Sequence, residues 1–140
     1  MKQHRQLIFD ILFGAYLAVL LRITVFRDGC FSNGLFTGRV EWVPFVYLAK
    51  LIRVHYWSYF VYLFVGNLVW FVPLGAYLRH RRMRWPLVIL CGMGLSLLIE
   101  ITQFVLGSGV TEVEDVILNT AGTAIGCGLA AVFLRRRRKE

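Results

Sequence analysis

The chain has 140 residues, of which 58% are hydrophobic and only 17% charged, yet its net charge is +8. A soluble domain of this length is about 45–50% apolar with about a quarter of its residues charged, so a mean hydropathy of +0.63 beside a pI near 9.9 is an unusual pairing. Three Pro and 13 Gly without any repeat exclude a disordered or collagen-like chain. The apolar surface exceeds what so small a domain can bury, which points to a membrane protein and away from nucleic acid as the partner of the positive charge.

A spanning helix needs about 20 residues to cross a hydrocarbon core of ~30 Å. Four stretches qualify: residues 7–26, 58–78, 86–106 and 116–134. In the first, Asp10 and Arg22 lie within a few residues of its ends and can reach the interface. This segment is expected to stay as a signal anchor, because its apolar run is long and no small-x-small cleavage site follows. The second and third spans flank the basic tract Arg79-His80-Arg81-Arg82-Met83-Arg84 and read as a helical hairpin, with Pro86 suited to the first turn of the third. The expected fold is all-α: one domain over residues 1–140, an integral membrane bundle of four transmembrane helices with an outer interfacial helix.

Charge orients this bundle. Lys2, Arg5, the four Arg of the middle loop, Arg135 to Arg138 and Lys139 are eleven of the sixteen basic residues, and four spans place them all on one side. The positive-inside rule then makes both termini cytoplasmic. Cys30, Cys91 and Cys127 form no disulfide framework, and His4, His55 and His80 show no metal-ligand spacing, so neither a metal nor a cofactor is expected.

Residues 27–57 form the long outer connection. Its first half, with Asp28-Gly29, Ser32-Asn33-Gly34 and Thr37-Gly38, is turn-rich and expected to be irregular. From Phe45 to Trp57, Lys50 and Arg53 share the surface with Val46, Tyr47, Leu48, Leu51 and Ile52, the pattern of a short helix in the interface. A re-entrant segment is the alternative, at a higher cost for Lys50 and Arg53. Pro44 breaks the chain ahead of this helix, and Trp42, Tyr47, Tyr56 and Trp57 suit an aromatic belt.

Polar side chains inside the spans are the best functional clue. Ser96, Glu100 and Gln103 share one face of the third span, and Asp115, Asn119, Gly122 and Gly126 share one stripe of the fourth. Asn67 lies near the middle of the second, where Pro73 frees the carbonyl of Val69. At 1.5 Å per residue Glu100 stands about 6 Å beyond the midpoint of its span. Glu100, Gln103, Asp115, Asn119, Arg22 and Arg27 should therefore share the outer half of the bundle, with Arg22 or Arg27 as the cationic partner of Glu100. Amides, hydroxyls and glycines are also ordinary adhesive between helices in lipid. Packing alone explains Glu100 least, since a glutamine would pack as well without the charge.

Asn67-x-x-x-Phe71-Val72-Pro73-Leu74-Gly75, then Ser96-x-x-x-Glu100-x-x-Gln103, then Asp115-Val116-Ile117-Leu118-Asn119-Thr120-x-Gly122 resemble the successive motifs of VanZ-like membrane proteins. Ile23-Thr24-Val25-Phe26-Arg27 and Val43-Pro44-Phe45 are similar to segments of the same family. Two positions depart from it: Gly109 stands where members often carry Arg, and Glu112 where they carry Asp. The resemblance implies a protein of the bacterial cell envelope, in a family whose founding member is linked to resistance to the glycopeptide teicoplanin. It supplies no reaction. The residues themselves suggest a polar pocket opening outward, with Arg27, Asn67, Ser96, Glu100, Gln103, Asp115 and Asn119 as candidate ligand-binding residues. Expected partners are membrane lipids, a lipid-linked cell-wall precursor or a lipoglycopeptide, with a homo-oligomer left open. Two other classes stay in view: a membrane enzyme with Glu100 or Asp115 as general acid/base, and a small transporter subunit.

Overall fold

The computed structural model describes residues 2–26, 34–108 and 110–136. Among them the elements run α1 (Lys2–Thr24), β1 (Arg39–Glu41), α2 (Val46–Arg53), α3 (Trp57–His80), α4 (Trp85–Leu106), β2 (Val110–Glu112) and α5 (Val113–Arg136). Helices α1, α3, α4 and α5 are long and apolar enough to cross a membrane. At 22 to 24 residues each they measure about 33–36 Å, and each exceeds its expected apolar span except at the end of α1, which stops at Thr24. Leu12, Val69, Leu98, Ile101 and Leu129 are exposed on these helices, a surface that suits lipid and would be a liability in water.

The tightest seam joins α3 to α5. A Cβ added to Gly126 would stand 2.8 Å from the carbonyl carbon of Val72, and one added to Gly122 2.9 Å from that of Leu68. From the other side, a Cβ on Gly75 would come within 2.8 Å of the Thr123 carbonyl carbon. The backbones touch because these positions lack side chains, which is how small residues join helices where lipid supplies no hydrophobic drive. Helix α4 joins through Gly92, packed on the Thr123 side chain. Helix α1 leans on this unit by Leu20 and Val25, which are buried with Phe71, Leu74 and Ile99.

The connection expected to be irregular is partly ordered. Residues 39–41 pair in parallel with residues 110–112, Arg39 against Val110 and Glu41 against Glu112. The chain before β1 rests on the end of α4, where Phe36 N–H donates to the Val105 carbonyl at 2.8 Å and Gly38 N–H to the Phe104 carbonyl at 3.3 Å. The reason is local: α4 ends in a Schellman turn at Gly107 (φ 59°), with Ser108 N–H bonded to the Gln103 carbonyl at 3.1 Å. The last carbonyls of α4 turn outward at this end, and the 36–41 segment supplies donors to them, the Phe104 carbonyl also taking the Gly107 N–H at 3.3 Å. The short helix of the connection is α2, eight residues long. Leu48 and Leu51 bury against Leu118 and the α3 residues Phe60, Leu63 and Phe64, while Lys50 and Arg53 stay exposed. The end of the bundle carrying β1, β2 and α2 is the sheet end; the end carrying the α3–α4 turn is the basic end.

Candidate functional site

The polar residues of α4 and α5 face each other inside the bundle at the sheet end. Deepest is a bond between helices, from Asn119 Nδ2 to Ser96 Oγ at 2.8 Å, with both residues buried. One turn outward on each helix come Glu100 and Asp115. Both are four residues from that bond, so they share a level about 6 Å beyond it.

At this level Asn67 of α3 donates through Nδ2 to Asp115 Oδ1, tying α3 to the first turn of α5. Glu100 is only 3% exposed. Its Oε2 accepts the backbone N–H of Glu112 at 3.1 Å, and its carbonyl accepts Thr111 Oγ1 at 3.1 Å. The acid therefore anchors β2, and through the strand pairing β1, onto α4. Further out Gln103 Nε2 donates to the carbonyl of Thr24 at 3.0 Å, which fastens the last turn of α1 to α4. Arg22 donates to the carbonyl of Phe26. Arg27, Cys30 and Gly109 lie outside the described residues, as do Arg137, Arg138 and Lys139.

Six of the seven candidate residues are thus brought together: Ser96 with Asn119, Asn67 with Asp115, and Glu100 and Gln103 on the same face of α4. Ser96, Glu100, Gln103 and Asn119 are all buried, and residues 36–41 and 110–112 cross this same end of the bundle. Each side chain holds one element to another, so the cluster has a structural duty whatever else it does.

Two atoms have none. Asn119 Oδ1 and Gln103 Oε1 are buried with no hydrogen-bond partner among the described residues. A buried amide oxygen without a donor costs about 1–3 kcal/mol. Two of them in the same cluster as two carboxylates give the site buried acceptor capacity. Such a site suits a hydroxyl- or ammonium-bearing group. Among the described residues no group of three His, Cys, Asp or Glu side chains could hold a metal ion.

One buried acid escaped the sequence reading. Glu114 is 3% exposed, and its Oε2 accepts the N–H of Phe45. Phe45 precedes α2 in the left-handed region (φ 65°), a conformation that is an outlier for a bulky side chain. Glu114 pins that turn and hence the entry angle of α2. In the sequence it reads only as one of the acids Glu112, Glu114 and Asp115 ahead of the fourth span, with nothing to single it out.

A family model described as VanZ/LLP1 matches residues 13–134. No curated protein and no solved structure matches the chain.

Proposed function

Since the chain belongs to the VanZ/LLP1 family, we propose that it acts in the bacterial plasma membrane by holding the polar headgroup of a lipid or lipid-linked precursor at the sheet end, both termini being cytoplasmic. The observation that carries this is the pair of unpartnered amide oxygens, Asn119 Oδ1 and Gln103 Oε1, buried beside Glu100 and Asp115. A headgroup hydroxyl or amine supplies the missing donors. Entry requires residues 34–45 to lift. Among the described residues the bonds that secure that segment are the ladder to β2, the two N–H groups on α4 and the one on Glu114. Segments so lightly held are the ones that open locally. Occupancy of this site would change how a lipoglycopeptide such as teicoplanin meets its lipid-linked target.

The test is teicoplanin susceptibility, with lipid co-purification, in cells expressing the chain and its Glu100→Gln and Asn119→Ala variants. Glu100→Gln keeps an acceptor for the Glu112 N–H, so the fold should persist while the charge is lost. Altered susceptibility and lost lipid are expected in both variants. Folded variants indistinguishable from the wild type in both readouts would end the proposal. The shared level of Glu100 and Asp115 also favours a second reading, acid/base chemistry on such a lipid. Turnover of a lipid-linked substrate by the purified chain, abolished in Glu100→Gln, would establish it.

A further inference from the structure

At the basic end the helices do not close. Between α1, α3 and α5 lies a crevice of about 1340 Å³, walled by Phe9 and Tyr16 of α1, Pro73 and Ala76 of α3, and Leu129 and Phe133 of α5. Its mouth is formed by Gln6, His80, Arg81 and Arg82. Along α1 it runs from Gln6 to Tyr16, ten residues or about 15 Å. That is half of a hydrocarbon core of ~30 Å, the depth of one leaflet. Its floor is closed by the bond from Tyr16 to the Trp70 carbonyl and by the packed side chains of Leu20, Phe71 and Leu74.

We propose that this crevice holds one anionic phospholipid of the adjoining leaflet, with an acyl chain between the helices and the phosphate on Arg82. The walls are mainly apolar over a leaflet's depth, with the Tyr16 and Tyr77 hydroxyls bonded to the Trp70 carbonyl and Asp10, and an acyl chain matches that length and chemistry. The mouth is cationic. Among the described residues the acid at this level, Asp10, is already engaged by the Tyr77 hydroxyl at 2.9 Å and by Arg81 at 3.6 Å. Arg82 and His80 are left facing the headgroup level, with Arg84, Arg135 and Arg136 at the same end.

The backbone at Arg82 adds a separate argument. Helix α3 ends in a Schellman turn: Met83 N–H donates to the Leu78 carbonyl at 3.2 Å and Arg82 N–H to the Arg79 carbonyl at 2.9 Å. Arg82 occupies its left-handed position (φ 64°), where glycine is the usual and more stable residue. Backbone outliers of this kind cluster at ligand-binding sites, and this one lies at the mouth of the crevice. The inference does not depend on the sheet-end cluster.

The full chain in mild detergent is titrated with phosphatidylglycerol and with phosphatidylcholine of the same acyl chains, and bound lipid is read by native mass spectrometry. One phosphatidylglycerol should bind at least about tenfold more tightly than phosphatidylcholine, from two or more basic groups at the mouth. Arg82→Gly should weaken phosphatidylglycerol about fivefold, the worth of one basic side chain at an anionic surface. It should leave phosphatidylcholine unchanged and Tm no lower than in the wild type. Ala130→Phe, which fills the crevice, should weaken both lipids. Equal affinity for the two lipids, or phosphatidylglycerol binding untouched by Arg82→Gly, means an unselective annulus and overturns the proposal. So does lipid binding unaltered in a folded Ala130→Phe protein.

Discussion

Gly126→Ala tests the seam on which the polar layers depend. The added Cβ would stand 2.8 Å from the Val72 carbonyl carbon and 3.0 Å from the Ala76 nitrogen, and nearer still to the Val72 oxygen. Carbon–carbon contact is comfortable at about 3.5–4.0 Å, so α3 and α5 must part by about 1 Å at that level. A gap of that size forfeits up to about half of the dispersion attraction between facing atoms. Overpacking a close interface costs about 1–3 kcal/mol, and backbone, not a flexible side chain, is what must move here, so the top of that range applies. Gly66→Ala is the control: it lies on α3 and meets nothing within 4 Å. It should gain about 0.5–1 kcal/mol from helix preference. The two variants should therefore differ by about 3–4 kcal/mol in reversible SDS unfolding followed by far-UV circular dichroism. A difference below about 0.5 kcal/mol, the size of an ordinary surface change, would refute a backbone-to-backbone seam.

Cys127 is fully buried between helices, so with Cys30 and Cys91 replaced by Ser a maleimide should label it only on unfolding; stoichiometric labelling of that folded variant would contradict the packing. Asn67→Ala should cost about 1–2 kcal/mol, above the ~0.6 kcal/mol of an average hydrogen bond in a membrane bundle, because the acceptor Asp115 is an acid. Asp115→Asn, which keeps an acceptor, should cost less than half of that, and the reverse order would remove the bond from the account. In a cysteine-free background, cysteine at Trp42 should react with an impermeant maleimide added to intact cells. Cysteine at Arg84 should react only after permeabilisation, and the opposite pattern would invert the orientation.

The four long helices and the inward-facing acids were legible because lipid imposes a strong constraint: apolar length marks the span, and any interruption is conspicuous. Ser96, Glu100 and Gln103 face the interior as their spacing requires, and Gly122 and Gly126 lie at the seam. The two strands were not legible. Three residues show no alternation, and their pairing joins Val40 to Thr111 across most of the chain. The left-handed Phe45 and Arg82 were hidden for a different reason, since no glycine advertises the turn. The crevice was invisible because α1 between Asp10 and Arg22 is apolar on every side apart from Tyr16, and a helix with lipid on one side and a core on the other has no polar face there to betray its orientation.

Helix α1 is held very differently at its two ends, and Gln103 connects that asymmetry to the cluster. At the sheet end Leu20 and Val25 are buried and Gln103 grips the Thr24 carbonyl; toward the basic end α1 has the Phe13–Tyr77 ring stack and the Asp10 contacts. Gln103→Leu separates the tether from the unpartnered oxygen. It deletes one hydrogen bond, worth about 0.6 kcal/mol in a membrane bundle, and also a buried acceptor whose lack of a donor costs about 1–3 kcal/mol. In lipid-stripped protein the two effects oppose, so the variant should be as stable as the wild type or more so. In native-lipid nanodiscs a headgroup that supplies the donor stabilises the wild type by mass action, about 2.7 kcal/mol at a hundred times its Kd. The variant forgoes that gain. Its stability relative to the wild type should therefore reverse between the two media. An identical difference in both would mean that nothing from the membrane reaches the Gln103 oxygen, and that the cluster serves only to fasten α1 and the sheet to the bundle.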